Sequence, residues 1–451
     1  MIVAVPMFLQ AVDTSILGTA LQSIAASLNV EILRLNFAIT AYLLSLALFL
    51  PASGWLTDRL GTRRVFCSAV AVFSLASALC GSATTLDQIV VFRILQGLGG
   101  AMMVPVARLI LLRNVPPGQL VMAMLWFTVP GTIGRVLGPV LGGFIVTLGS
   151  WRWIFLLNIP FGVLGILLSL KFVPDSQPEK TERFDLKGFV LVAIGLSGTV
   201  FGLETIGHNL VSRSATILIA SISIAASICY WMYGRNRTDV IIPPGIFGYR
   251  TFSIANIGGM PLRMVVGSAP VFVPLLLQIG MGCTAVQSGL ATAWLSVGAL
   301  AIRPIMRRAI NEFGFKPLMI TAAGLSGVAF AACGLFSRGM SIYFICIVLF
   351  VAGIVNSIGM VAMNTVGFSG IPKNMLSKAT ALATMMQQTT MSLGVALCAS
   401  CLSIAAKVHG HSAEHLTARD FPMAFFVVGA LSCLSVVAFT RLPAAEGAEL
   451  R

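Results

Sequence analysis

The sequence predicts an all-α polytopic membrane protein with fourteen transmembrane helices, and three observations predict it. The 451 residues are 57% hydrophobic with a mean hydropathy of +0.95 and are only 10% charged, against about 25% charged in soluble domains. Uncharged runs of about 20 residues, long enough at 1.5 Å per residue to cross a hydrocarbon layer of about 30 Å, recur from end to end. The basic residues are also spread unevenly over the connecting segments. No segment alternates with period two over about ten residues, as barrel strands would.

The first run, 2–21, has no basic residue ahead of it and carries Asp13 at its centre, so it reads as a retained helix rather than a cleaved signal peptide. Runs at 35–55, 65–82 and 88–109 follow, the first two of these joined by the charged turn GWLTDRLGTRR. The run at 119–146 keeps its helical reading despite its glycines and prolines, because neighbouring helices satisfy freed backbone groups inside a bundle. A sixth at 153–172 closes the first group. The polar segment VPDSQPEKTERFDLK, 173–187, then breaks the pattern with Pro174 and Pro178. Two runs poor in polar residues, 185–205 and 214–233, precede a second polar stretch, YGRNRTDVIIPPGIFGYR. The last six runs lie at 252–276, 286–306, 317–336, 341–366, 379–405 and 421–440. The domain reading is a six-helix bundle over 1–172, a linker with two inserted helices over 173–250, a second six-helix bundle over 251–440 and a tail over 441–451.

The net charge of +14 raises the question of nucleic acid. With both termini placed in the cytoplasm, twenty of the 29 Lys and Arg fall at the inner face, six fall outside (Arg34, Arg152, Arg213, Arg338, Lys407, Arg419) and three lie within spans. That is the positive-inside bias, so the charge is topological and implies no nucleic-acid partner. The nine cysteines sit mostly within spans and show no extracellular pairing pattern; Cys398 and Cys401 read as packing residues. In HGHSAEH, 409–415, three imidazoles and Glu414 match no zinc spacing and read as a solvated outer loop, so no metal site is expected. No P-loop and no nucleophile–base–acid grouping occurs, and neither an enzyme nor a bound cofactor is expected.

The two groups of six echo each other. GWLTDRLGTRR joins the second and third helices of the first group, and RRAINEFGFKP, again an acid, a glycine and flanking bases, joins the equivalent pair of the second. Parallel repeats of this kind are one way in which secondary carriers are built around a midplane site. Within the first turn, Asp58 sits at the membrane edge, where helix N-termini present unpaired N–H groups. A carboxylate there contributes about 0.3–2 kcal/mol and is released if the two halves separate on that side. The turn therefore reads as a conformation-dependent latch built on Gly54, Asp58, Arg59, Gly61, Arg63 and Arg64, its partner expected at the N-terminus of the thirteenth helix near Lys378. The alternative, a solvated positive-inside turn, accounts for the three arginines and not for Asp58 or the two glycines.

These residues carry a resemblance. GWLTDRLGTRR resembles the loop motif G-x-L-x-D-R-x-G-x-R-R of the major facilitator superfamily at every defining position. RILQGLGGA resembles that superfamily's fourth-helix motif, through Arg93, Gln96 and Gly97. GRVLGPVLGG is similar to its antiporter motif, through Gly134, Gly138, Pro139, Gly142 and Gly143. AVDTSILGTAL and WRWIFLLNIPFG resemble segments of the fourteen-helix drug:proton antiporters, and RTFSIANIGGMPLRM resembles a subgroup of bacterial multidrug exporters. The resemblance implies two six-helix bundles plus an inserted pair. It further implies export of small amphipathic or cationic compounds across the bacterial inner membrane, driven by the proton motive force, with no obligate protein partner. A proton-linked importer of the same fold and a transport-incompetent receptor derived from a carrier stay open as alternatives.

Asp13 is the one acid placed deep within a span, and such a group costs about 2.5–3.5 kcal/mol at a helix centre, which marks it as functional. It reads as the proton carrier with Arg93 as its modulating cation; the alternative is a static ion pair. Gly134, Gly138 and Gly142 recur every four residues on one helix face, which lets backbones approach closely, and Pro139 bends the helix. That face is expected at the interface between the halves. The chain departs from the family at Gly18, Gln22 and Arg135, and Arg135 with Arg263 is a candidate contact for an anionic substrate group.

Overall fold

The computed structural model describes residues 5–28, 30, 32–174, 184–208, 212–235, 237, 240–283, 285–337, 339–409 and 417–443. The described residues form helices in the predicted order. These are α1 (Val5–Leu28), α2 (Ile32–Phe49, continued as Ala52–Leu60), α3 (Thr62–Ser82), α4 (Leu86–Asn114), α5 (Pro117–Leu148), α6 (Arg152–Phe172) and α7 (Leu186–His208). They are followed by α8 (Arg213–Gly234), α9 (Arg250–Gly280), α10 (Ala285–Ala301, continued as Arg303–Phe313), α11 (Phe315–Cys333), α12 (Ile342–Val366), α13 (Leu376–Val408) and α14 (Phe421–Thr440). Over their described residues nine helices are long and apolar enough to cross a membrane, or ten with the bent pair of α10.

Breaks in the long helices have local causes. Pro51 interrupts α2, since it lacks the N–H that would continue the ladder. In α10, Gln287–Ala301 and Arg303–Phe313 meet at 52°, with Pro304 at the start of the second piece. α9 contains two stretches of wider turns, Ile254–Gly258 and Leu276–Gly280, the second just after Pro270 and Pro274.

The charged turns are shorter than the sequence suggests. Ala52–Leu60 is helical and α3 starts at Thr62, which leaves Gly61 as the whole connection. Its φ of 85° lies in the left-handed region that glycine adopts without a steric penalty. Gly314, with φ 79°, makes the same single-residue connection between α10 and α11. The echo read between the two charged segments is thus also an echo in backbone geometry.

Packing repeats with an offset of eight helices. In the first set α1 packs on α5, α2 on α4, and α3 on α4 and α6. In the second, α9 packs on α13, α10 on α12, and α11 on α12 and α14. The seam between the sets repeats too: α2 and α4 meet α13, while α10 and α12 meet α5. The inserted α7 lies across this seam, touching both α2 and α13, and α8 packs chiefly on α7. Apart from its contact with α7, α8 is largely exposed, with Ile217, Leu218, Ile222, Ile224, Ile228 and Trp231 turned outward.

Among the described residues, the seam's side-chain hydrogen bonds between the two sets of six lie toward one end of the bundle. It is the end that also carries Arg59, Arg63, Arg64 and Arg113, and is here termed the basic end.

Candidate functional site

Asp13 stands mid-span on α1 and is 1% exposed. Arg93 of α4, also 1% exposed, donates from Nη1 to Asp13 Oδ2 at 2.6 Å. One turn on, Gln96 donates from Nε2 to Asp13 Oδ1 at 3.0 Å and accepts from Arg93 Nη1 at 2.9 Å. Asn158 of α6 adds a longer contact to Asp13 Oδ1, 3.4 Å, and donates to Ser77 Oγ of α3 at 2.9 Å. Ser77 in turn bonds the backbone carbonyl of Phe155. The carboxylate is therefore the node at which α1, α3, α4 and α6 are tied. Arg93 Nε and Nη2 are buried without hydrogen-bond partners, and the guanidinium lies 4.9 Å from the ring centroid of Phe155 and 5.5 Å from that of Tyr42. Aromatic faces attract a desolvated cation without holding it as a second carboxylate would, so neutralising Asp13 would leave this arginine with its bond to the neutral Gln96 and the two ring faces.

At the basic end the latch residues converge. Asp58, 6% exposed at the end of α2, accepts from Arg113 Nη2 of α4 at 3.1 Å and from Ser377 Oγ in the first turn of α13 at 2.5 Å. Gly54 lets the same helix start come close: a Cβ added there would lie 3.2 Å from the Ser377 carbonyl oxygen and 3.4 Å from the Lys378 nitrogen. Arg59 stacks on Trp55 at 5.1 Å, and Arg63 donates to the Val173 carbonyl at 3.5 Å. Arg64 is exposed beside them. Asp58 thus bonds both its own half and the opposite one, and only the second bond is lost if the halves part. Across the equivalent helix pair, Arg303 of α10 donates to the Leu125 carbonyl and, at 3.1 Å, to Thr128 Oγ1 of α5.

With the repeated six-helix packing and the buried acid–arginine node in place, comparison with known proteins identifies the family. The model of the Major Facilitator Superfamily matches residues 3–388. The chain belongs to the major facilitator superfamily. It is 36% identical over 442 residues to a protein of Pectobacterium atrosepticum called "Putative multidrug resistance protein MdtD", covering 98% of this chain and 95% of that one. A protein of the same name from Serratia proteamaculans is 36% identical, with 98% and 93% covered. Among solved structures, the proton:xylose symporter XylE aligns with a TM-score of 0.66 over 99% of this chain and 95% of that one, at 15% identity, a likeness of fold.

Other candidate residues of this major facilitator chain fall differently from expectation. Gly134 and Gly138 face α1: added Cβ atoms would run into the Phe8 carbonyl and Ser15 Oγ. Their face is a seam inside one six-helix set and not the interface between the halves, a correction to the sequence reading. Spacing identifies which residues share a face and does not say which neighbour the face meets. Gly142 is buried on the same helix; Pro139 and Gly143 are helical in backbone, their side-chain positions outside the described set, as are those of Gly18 and Gln22. Gly97 admits α2, where a Cβ would lie 2.7 Å from Ser45 Cβ and the Tyr42 carbonyl. Arg135 is exposed on α5, whereas Arg263 on α9 is 1% exposed and bonded to Asn256.

The nine cysteines are free. Of HGHSAEH, His409 pairs with Asp420 at 2.7 Å, and 410–415 lie outside the described residues.

Three positions in these contact networks escaped the sequence reading. Asn158 and Ser77 are neutral residues in apolar helices and carry no signal of their own. Arg108 reads as one more basic residue at the inner face, yet it is 3% exposed and reaches across to Thr384 and Gln387 of α13.

Proposed function

We propose that the chain exports small amphipathic, drug-like compounds across the bacterial inner membrane in exchange for protons. Both termini and the basic end face the cytoplasm, and the proton motive force takes the place of any cofactor. The observation that carries the proposal is the Asp13 node: among the described residues, the one acidic side chain inside a span, ion-paired to α4, bonded to α6 and linked through Asn158 to α3. The multidrug name borne by relatives of 36% identity over nearly full length supports the drug-like cargo.

The working cycle follows from charge. While Asp13 is ionised, Arg93, Gln96 and Asn158 hold α1, α4 and α6 together. A proton on Asp13 removes one charge of a buried pair, and the remaining unpaired cation is costly, about 3–5 kcal/mol in comparable cases. That energy favours a rearrangement that hydrates Arg93 or gives it another partner. Alternating access needs such a local change to reach the seam, and α4 supplies the connection. It carries Arg93 toward one end and both Arg108 and Arg113, which bond α13 and Asp58, toward the other. Loss of the Asp58–Ser377, Arg108–Gln387 and Arg303–Thr128 contacts opens the cytoplasmic end, and their return closes it.

The test is retention of ethidium in loaded cells with the protein overproduced. Lower retention that an uncoupler abolishes supports the proposal. Higher retention would reverse the direction, and retention equal to that of control cells under both conditions would remove it.

A further inference from the structure

The inserted pair begins and ends at the basic end, and the two segments that join it to the halves are fastened there by specific contacts. A tether between rigid bodies needs only length, yet Val240, Ile241, Ile242 and Ile246 are 1%, 4%, 3% and 0% exposed. Asp185, just ahead of α7, accepts from the Gly188 N–H and from Tyr233 Oη of α8, both at 2.9 Å, and from the Ile241 N–H at 3.3 Å. Gly188 leaves room for this carboxylate, since a Cβ there would run into Asp185 Oδ2. Tyr230 Oη donates to the Ile242 carbonyl at 2.6 Å and accepts from the Ile242 N–H at 3.1 Å. One carboxylate thus ties the entry of the pair, its exit helix and the segment that leads on to α9.

Each side of this knot reaches a different half. Phe184, next to Asp185, meets the ring of Trp55 with centroids 4.8 Å apart at 63°. Trp55 precedes Asp58 by one turn of α2. On the other side, Tyr249 Oη donates to Met375 Sδ at 3.7 Å, and Thr251 Oγ1 of α9 donates to the Ser369 carbonyl at 2.7 Å. Met375 stands two residues before Ser377, which donates to Asp58 across the seam. The body of α7 follows the same course, touching α2 on one side and α13 on the other. These contacts run from one side of the Asp58–Ser377 bond to the other without passing through it, and Asp185 is where the two arms meet. Parting of the halves draws Trp55 away from Met375, so one joint of the path must give before the basic end can open.

We infer that the inserted pair is a strap over the cytoplasmic closure and that Asp185 is the residue that positions it. The carboxylate holds Phe184 on the Trp55 side and the 240–249 segment on the Met375 side, and so adds to what keeps Asp58 on Ser377. The inference deepens the export reading and rests on it for the opening that the strap opposes. It also gives a task to the two polar segments that interrupt the run of spans.

The test is the rate at which a membrane-impermeant maleimide, added from the cytoplasmic side, reacts with Ala381→Cys, the reaction of the native cysteines being subtracted. Ala381 lies one turn beyond Ser377 in α13 and is 1% exposed. Asp185→Ala in that background should speed the reaction about fivefold, the effect of losing one net hydrogen bond from the closed state. Gly188→Ala should do the same by displacing the carboxylate. Because alanine is the better helix former, that variant should keep or raise the thermal midpoint. Tyr233→Phe, which removes one donor and keeps the ring, should give a smaller acceleration. Unchanged rates in both Asp185→Ala and Gly188→Ala would overturn the inference. So would acceleration in Asp185→Ala alone with a lower midpoint, the mark of a general loosening. The labelling needs no transport: faster labelling as described, with no dye movement by the unaltered protein in pH-gradient liposomes, would count against export and leave the strap standing. Unchanged labelling alongside dye movement would remove the strap alone.

Discussion

Arg93 Nη1 lies 2.6 Å from Asp13 Oδ2 in a setting where both side chains are sealed from solvent, and the pair joins α1 to α4 across 80 residues of sequence. Gln96 bonds both members, so acid, base and amide form a closed triangle. A buried pair of this kind adds little net stability over apolar packing, because desolvation offsets most of the attraction. The proposed export cycle gives that expense a use, since a proton on Asp13 would dissolve the attraction at one atom.

Asn158 is the least conspicuous member of the node and the most informative to change. It holds Asp13 Oδ1 and Ser77 Oγ together. Asn158→Ala leaves buried hydrogen-bonding groups without a partner, which costs about 1–3 kcal/mol, so the thermal midpoint in detergent should fall and dye export should slow severalfold. Asn158→Gln should recover part of both. An unchanged midpoint and rate in Asn158→Ala would mean that Arg93 and Gln96 alone orient the carboxylate.

The contact at the basic end predicts a change in accessibility. Ala381, 1% exposed in α13, lies one turn from Ser377. A cysteine placed there should react slowly with a membrane-impermeant maleimide added from the cytoplasmic side. Adding Asp58→Lys, which puts a cation where Asp58 meets Arg113 and Ser377, should speed that labelling and abolish export. Slow labelling with export intact would contradict the latch.

Much of this was legible in the sequence, and the reasons differ by level. Span positions follow from length and apolarity, which the bilayer imposes directly, so α1 to α14 fall where the hydropathic runs lie. Asp13 and Arg93 stand out because charges in apolar helices are rare, and being rare they point to each other. Gly61 and Gly314 were visible as echoing turns, but their reduction to single residues depends on backbone angles that composition does not encode. The facing of Gly134 and Gly138 toward α1 was not legible, since helical spacing defines a stripe and leaves its neighbour open. The burial of Arg108 was not legible for a related reason: its position near a helix end suits a topological charge equally well, and only the approach of α13 buries it.

The second half holds a seam as close as those of the first. An added Cβ on Gly353 of α12 would fall well inside contact with the Leu295 carbonyl of α10, and one on Gly298 would meet the Phe350 carbonyl in the same way. Backbone cannot step aside as a flexible side chain can. Gly353→Ala should therefore destabilise by about 1–3 kcal/mol, read as a lower thermal midpoint, whereas alanine at the uncrowded Gly289 should change it little.

The connection between α13 and α14 predicts a dependence on pH. Burial pushes the Asp420 carboxyl upward, but hydrogen bonds from His409 and Thr417 outweigh it and hold the group below the ordinary aspartate range. A depressed folded value stabilises above the unfolded value and loses that contribution as pH falls through the folded one. The thermal midpoint should thus decline from about pH 4 downward, more steeply than in Asp420→Asn. Parallel profiles for the two proteins would show that the carboxylate contributes nothing there.

The most direct test of the account is transport by Asp13→Asn in liposomes with an imposed pH gradient. The amide keeps the size of the side chain and cannot carry a proton. Gradient-driven dye movement should drop to the level of protein-free vesicles, while dye exchange at equal pH on both sides persists and shows that the variant is folded. Gradient-driven movement at the unaltered protein's rate would contradict proton coupling through Asp13.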